Sequence, residues 1–322
     1  MRTRKTVAEA DKLARIIKLL LFIMEHSGVP EYSCEKSNHV YSFRQKIALL
    51  VLRQEERESY DRFCRKMGSY STVMELLGLK IVPHPTTLSK FAKTLDPGHL
   101  ERVVACFAVA VKDEGLVLAV DGTAFSNTAA SKHYVKRLAH FRGRKVAYGK
   151  KAARGFVKAS FIGDTDTKVI LSLDVVMDHT HDSVMGKRAL KILEEHGIKA
   201  AFLDADKGHG WEESRRLAGE RVGAVALIPP RETPEGRKGS GRRRTKGVNR
   251  CKMKWMLAVP KFAFIYAMRA IIESINSVVK RLFGDAALCR LLATVRTEIA
   301  CRVVAHNLER VDKLGLGRLF GA

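Results

Sequence analysis

At 322 residues the chain is long enough for two domains, and 46% hydrophobic residues exclude a disordered protein. Lys and Arg number 58 against 34 Asp and Glu, a net charge of +24 that exceeds what solubility needs and points to a polyanionic partner, nucleic acid first. Six cysteines without a C-x-x-C pair exclude a zinc ribbon or a disulfide framework and imply reduced thiols inside the cell.

The first apolar run, 16–24, is interrupted by Lys18 and falls short of the ~20 residues a membrane span needs, so it is expected to be a core helix. No secretory cleavage pattern follows it, which predicts a cytosolic, unprocessed chain. From 41 to 95 the pattern is one of short helices, at 43–53, 59–67 and 69–77, punctuated by Gly78 and Pro83. A further helix starts at Pro85, with Thr86, Thr87, Ser89 and Lys90 in its first turns. Hydroxyls and a lysine there suit a helix-turn-helix recognition helix, and equally any helical bundle with proline in a first turn. Residues 1–112 are therefore expected to form a helical, DNA-binding region.

A second unit is expected over 113–322. An apolar strand at 116–120 runs into Asp121, and Gly122-Thr123 predicts a turn where backbone approaches a phosphate. The connection 124–151 is rich in Ser, His, Lys and Arg, including Ser131, His133, Tyr134, Arg142, Arg144 and Lys145, and is expected to lie over DNA. Strands at 156–162 and 168–176 flank a Gly163-Asp164 turn, giving an antiparallel hairpin. In His179-Thr180-His181-Asp182, Asp182 is expected to N-cap a helix over 184–196; no fourth ligand at metal spacing accompanies the histidines.

The strand at 200–203 leads into Asp204-Ala205-Asp206, two carboxylates on one side of an extended chain. A helix at 211–217 and an apolar strand at 224–228 follow. Residues 231–254 hold ten Lys or Arg against two Glu, with Arg231, Arg242, Arg243, Arg244 and Lys246 among them. This stretch cannot bury a core and is expected to be a basic insertion that tracks a DNA backbone.

The stretch 262–280 is expected to be one long helix. Tyr266, Arg269, Glu273 and Lys280 recur at steps of three, four and seven and share a stripe on the order of 60° wide. Phe264, Met268, Ile271, Ile275, Val278, Val279 and Leu282 are expected to form the opposite, buried face. Glu273 could hold a divalent cation, Arg269 and Lys280 could hold phosphates, and Tyr266 could hydrogen-bond or stack. A solvated Arg269-Glu273 pair at i,i+4 explains part of the same stripe. A closing helix over 288–308 carries Glu298, an acid without those flanking partners.

Two apolar strands ending in acids, then a late helix with a glutamate, give a ribonuclease-H-like pattern. With Tyr, two residues, Arg, three, Glu, six, Lys at 266–280, the chain over about 115–308 resembles the DDE transposases of bacterial and archaeal insertion sequences. The resemblance implies an α/β fold, a ribonuclease-H-like mixed sheet with flanking helices, preceded by a small all-α, helix-turn-helix-like domain. It further implies Asp121, Asp206 and Glu273 as catalytic acids holding two Mg²⁺ or Mn²⁺ ions, with Asp204 as the alternative second acid. Asp206-Lys207-Gly208-His209 matches the family's pattern except that His209 stands where a tyrosine is usual. DNA-binding roles are expected for Tyr266, Arg269, Lys280 and the insertion. The implied activity is cleavage at the ends of a mobile element and transfer of the freed 3′-hydroxyl into target DNA, by a homodimer in a synaptic complex within the cytoplasm, at the nucleoid. A ribonuclease-H-like nuclease or resolvase without strand transfer, and an inactive DNA-binding protein, are the other classes compatible with the same residues.

Overall fold

A computed structural model of the chain describes residues 2–33, 35–36, 39–111, 115–127, 156–178, 180–209, 212–229 and 255–320. The N-terminal part is helical: α1 (Arg2–His26), α2 (Phe43–Glu56), α3 (Tyr60–Met67), α4 (Ser71–Leu76), α5 (Pro85–Thr94), α6 (Pro97–Ala105) and a 3₁₀ turn over Cys106–Ala110. Their boundaries follow local chemistry. Ser42 opens α2 with a reciprocal capping box to Gln45, and Asp96 caps α6 ahead of Pro97. At α5 the cap is His84, whose ring accepts from the Thr86 N–H. Thr86, Ser89 and Lys90 are exposed there while Leu88 is fully buried.

The central sheet has the order β3-β2-β1-β4-β5, with a short β6 on the far end of β1. Strands β1 (Val117–Asn127), β2 (Phe156–Asp164) and β3 (Ile170–Val176) are antiparallel neighbours. Strands β4 (Phe202–Ala205) and β5 (Val225–Leu227) run parallel to β1, as does β6 (Ala286–Ala287). Helices α7 (Asp182–Glu195) and α8 (Glu212–Val222) make the crossovers to β4 and β5. Three antiparallel strands followed by two parallel ones give the ribonuclease-H-like order.

Two expectations about strands need correction. Strand β1 does not stop before Asp121; it continues through Gly122-Thr123 to Asn127, because every residue from Leu118 to Ser126 pairs with β2. The reversal after β2 lies beyond Asp164, whose carboxylate accepts from the N–H groups of Asp166 and Thr167.

The helix expected over 262–280 is two helices, α9 (Pro260–Ala267) and α10 (Ala270–Phe283). Between them Met268, Arg269, Ile271 and Ile272 donate to the carbonyls three residues back, so the backbone tightens without proline or glycine. Pro260–Phe283 as a whole is long and apolar enough to cross a membrane, but α10 buries Ile272, Ile275, Asn276, Val279 and Phe283 inside this fold. That is not the face expected: Phe264 is 72% exposed and Met268 and Val278 are only half-buried. The buried face is turned so that the polar stripe flanks it about one residue's rotation, ~100°, away, rather than lying opposite. Gly163 receives this face, since a Cβ there would meet the Ile275 and Ile272 methyls at 3.2 and 3.4 Å.

Helix α11 (Leu292–Lys313) joins the two parts of the molecule. Its Thr297 hydroxyl donates to the Ala92 carbonyl of α5, and Asn307 brackets Ile170 of β3 through both backbone groups. The buried cores of the helical part and the sheet form one continuous cluster. His306 donates through Nε2 to the Lys168 carbonyl at 3.0 Å, while its buried Nδ1 has no partner. Burial pushes this imidazole down to about 4. It therefore stays neutral in the folded chain, whereas the unfolded chain binds its proton below about pH 6.5, so stability falls as pH drops from about 6.5 toward 4. Wild-type protein is expected to lose on the order of 2 kcal/mol between pH 7 and pH 5 from this group. Urea unfolding at both pH values checks it, with His306→Gln expected to remove most of that loss.

Candidate active site

Register places the two acids of the sheet side by side. Val120 of β1 is level with Ala205 of β4, so Asp121 and Asp206 are the next residues on adjacent parallel chains. Asp121 lies within its strand, opposite Phe161. Asp206 lies just past β4, where its Oδ1 accepts from the Gly208 N–H at 2.7 Å, and the following 3₁₀ turn (Lys207–His209) leads away. Helix α10 brings Glu273 to the same edge. Arg57, Asp121, Gly122, Thr123, Glu273, Asn276, Ser277, Lys280, Arg281, Gly284 and Asp285 line an open cleft of about 680 Å³.

The charges of this cleft press on one another. Burial raises the Asp121 carboxyl above its usual range, and Asp206 and Glu273 push it further the same way; the Gly122 N–H and Arg269 oppose them. Asn276 donates from Nδ2 to Asp121 Oδ2 at 3.1 Å. Glu273 accepts from Arg269 Nη1 at 2.9 Å, so the i,i+4 pair is present. Arg269 also bonds the Tyr266 hydroxyl and acts electrostatically on Asp121 and Asp204. With Glu273 held this way, no three acidic, His or Cys side chains among the described residues stand close enough to share a metal ion. Lys280 reaches over the Phe125 ring, its Nζ 5.5 Å from the centroid, and joins the cleft wall.

Asp204 sits deeper. It is level with Ala119, has no exposed surface, and neither carboxylate oxygen has a hydrogen-bond partner among the described residues. Burial pushes it up to about 7, against the pull of Arg269. Glu298 lies elsewhere: it pairs with Arg302 at 2.6 Å and accepts from the Leu288 and Cys289 N–H groups. Its role is to hold the chain after α10.

On the opposite face of β1 the glycine beside Asp121 has a steric purpose instead of the turn expected. A Cβ on Gly122 would come within 2.4 Å of Asp182 Oδ1. Asp182 pairs there with Lys158 of β2 at 2.8 Å. The expected capping is shifted by one residue, since His181 is the N-cap of α7, its ring accepting from the Ser183 N–H at 3.2 Å, and Asp182 is the first helical residue. His209 is buried against α7, where Gly186 leaves room for its ring. Burial lowers its pKa, with Asp206 and Asp182 acting the other way.

Arg231, Arg242, Arg243, Arg244 and Lys246 of the basic insertion lie outside the described residues, as do His179 and the 128–155 connection with Ser131, His133, Tyr134, Arg142, Arg144 and Lys145. Sequence reasoning missed Asn276 and Arg57. Asn276 had a signal, a polar residue three positions after Glu273 among apolar neighbours. Arg57 had none, because its place depends on a contact with α10 more than two hundred residues away.

The site thus has a ribonuclease-H-like sheet with Asp121 and Asp206 where parallel strands β1 and β4 end, and a helix carrying Glu273 across the cleft. The chain belongs to the transposase DDE domain family, which matches residues 112–308. Among solved structures, a piggyBac transposase synaptic complex with hairpin DNA, determined by cryo-electron microscopy, aligns with 11% identity and a TM-score of 0.40 over 95% of this chain and 76% of that one. No curated protein matches.

The Gly122–Asp182 contact gives a test of how the site edge is built. Gly122→Ala is expected to destabilise the protein by about 1–3 kcal/mol through overpacking against the carboxylate. Adding Asp182→Ala is expected to recover part of that, and a thermal-unfolding double-mutant cycle reads the coupling. Purely additive losses would mean that the two residues do not meet.

Proposed function

We propose that the chain is a DNA transposase of an insertion sequence that cuts the element's ends and joins the freed 3′-hydroxyl to target DNA. The observation that carries this reading is that Asp121 and Asp206 lie side by side where adjacent parallel strands end, with Glu273 of α10 acting on Asp121 from across an open cleft walled by Lys280 and Arg281, within a chain of the transposase DDE domain family. The donor set suits a hard cation: carboxylate oxygens only, with Asp121 raised by burial and by its acidic neighbours, a repulsion that bound divalent cations relieve. Asp121, Asp206 and Glu273 would hold two Mg²⁺ or Mn²⁺ ions, which supply Lewis acidity at the attacking and leaving oxygens of an in-line phosphoryl transfer.

The remaining roles belong to the protein's own groups. Asp206 is favoured over Asp204 because it is partly exposed beside Asp121, whereas Asp204 is fully buried. Glu273 has to exchange Arg269 for the cation site, which frees the Arg269 guanidinium to hold a phosphate with two hydrogen bonds. Lys280 and Arg281 line the cleft as further phosphate-binding cations, and Tyr266 bonds Arg269. The N-terminal helical region 1–112 and the basic insertion at 231–254 extend the DNA contact, with two copies bringing the ends of the element together in the bacterial or archaeal cytoplasm, at the nucleoid.

Replacing Asp121 or Asp206 by Asn, or Glu273 by Gln, is expected to reduce Mg²⁺-dependent cleavage of end-bearing DNA to background while DNA binding persists. Asp204→Asn is expected to retain cleavage; if it alone abolishes cutting, Asp204 is the second acid. Joining of cut ends to a target plasmid distinguishes a transposase from a nuclease or resolvase, which would yield hydrolysed ends only. Arg269→Ala is expected to raise the DNA concentration needed for half-maximal cutting by about tenfold or more, the effect of losing charged hydrogen bonds worth about 1.5–3 kcal/mol. Wild-type behaviour at limiting DNA would limit Arg269 to its pairing with Glu273.

A further inference from the structure

Asn276 is out of place by the rules that shape the rest of α10. It is 6% exposed, in a stripe with Ile272, Ile275, Val279 and Phe283, where an aliphatic side chain would pack without any polar cost. Its Nδ2 donates to Asp121 Oδ2 at 3.1 Å. Its Oδ1 is buried and has no hydrogen-bond partner among the described residues. The residue also lines the cleft between Asp121 and Glu273, one helical turn beyond the latter. A half-satisfied amide in an apolar stripe weakens folding relative to leucine, so stability does not explain it.

We infer that Asn276 is a positioning residue whose amide fixes the Asp121 carboxylate for cation binding. The inference rests on the reading of Asp121 as a metal-holding acid. With Oδ2 bonded to the Asn276 amide and the Gly122 N–H acting on the same carboxylate, Asp121 is held in one orientation toward the cleft. An unheld carboxylate would have to be ordered at the moment of binding, and hydrogen-bond partners that orient a ligand change metal affinity by about 10–100-fold.

Mn²⁺ titration of the full chain by calorimetry, alongside single-turnover cleavage, tests this. Asn276→Leu, close in shape, is expected to fold at least as well as wild type by thermal unfolding, to bind Mn²⁺ about tenfold or more weakly, and to lose cleavage rate without a change in DNA affinity. Should the leucine variant fail to fold, Asn276→Ala and Asn276→Ser carry the test. They differ by one hydroxyl, and the serine variant is expected to bind Mn²⁺ more tightly than the alanine one. Wild-type Mn²⁺ affinity in Asn276→Leu, or equal affinity in the alanine and serine variants, would overturn the proposal. Asp121→Asn serves as the reference. If it too binds Mn²⁺ like wild type, the metal-site reading itself has failed; if it alone loses Mn²⁺, only the role of Asn276 has.

Discussion

The seating of α10 on the sheet is the constraint on which the cleft depends. Gly163 lets Ile272 and Ile275 come down onto β2, and that contact fixes both the height and the rotation of the helix. Its far end is gripped from two sides. Arg57, in the left-handed conformation at the end of α2, donates to the Leu282 carbonyl at 2.6 Å and to that of Arg281. Arg302 of α11, buried with Glu298, donates to the Gly284 and Ala286 carbonyls at 2.9 and 2.8 Å. Removing one member of such a buried pair typically costs about 3–5 kcal/mol, because the other charge is left unpaired. The N-terminal helices thereby hold the helix that carries Glu273, so the two parts of the chain are mechanically linked.

The electrostatics of the molecule are divided. In a chain with net charge +24, Asp121, Asp206 and Glu273 nonetheless stand close enough to raise one another's local negative potential at one sheet edge. The long-range field attracts a polyanion, and the local acidic cluster would repel a phosphate at the cleft unless cations stood between. Arg269 mediates between these states in the chain as it stands. It is within reach of Glu273, Tyr266, Asp121 and Asp204, so its guanidinium supplies part of the positive charge that the cleft lacks.

Much of this was legible in the sequence, and for identifiable reasons. Apolar runs ending in Asp121 and in Asp204-Ala205-Asp206 mark the existence and register of two strands from local pattern, and the 266–280 stripe follows from helical periodicity. What was not legible depended on partners distant in the chain. Gly122 reads as a turn residue, yet its missing Cβ answers Asp182, and β1 continues because β2 pairs with it throughout. The apolar positions of 264–282 suit two possible buried faces; Gly163 on the sheet selects the one centred on Ile272 and leaves Phe264 in solvent. The break at 268–269 carries no proline or glycine, so nothing local announces the shift to bonds three residues back.

The central claim is that Asp121, Asp206 and Glu273 converge on cations once DNA is bound, with Glu273 released from Arg269. Anomalous diffraction at the manganese edge from crystals of the protein with DNA and Mn²⁺ tests it most directly. The account predicts Mn²⁺ held by these three carboxylates, with Arg269 turned to a phosphate. Manganese bound elsewhere, or Glu273 still paired with Arg269 while the metal sits on Asp204, would contradict it.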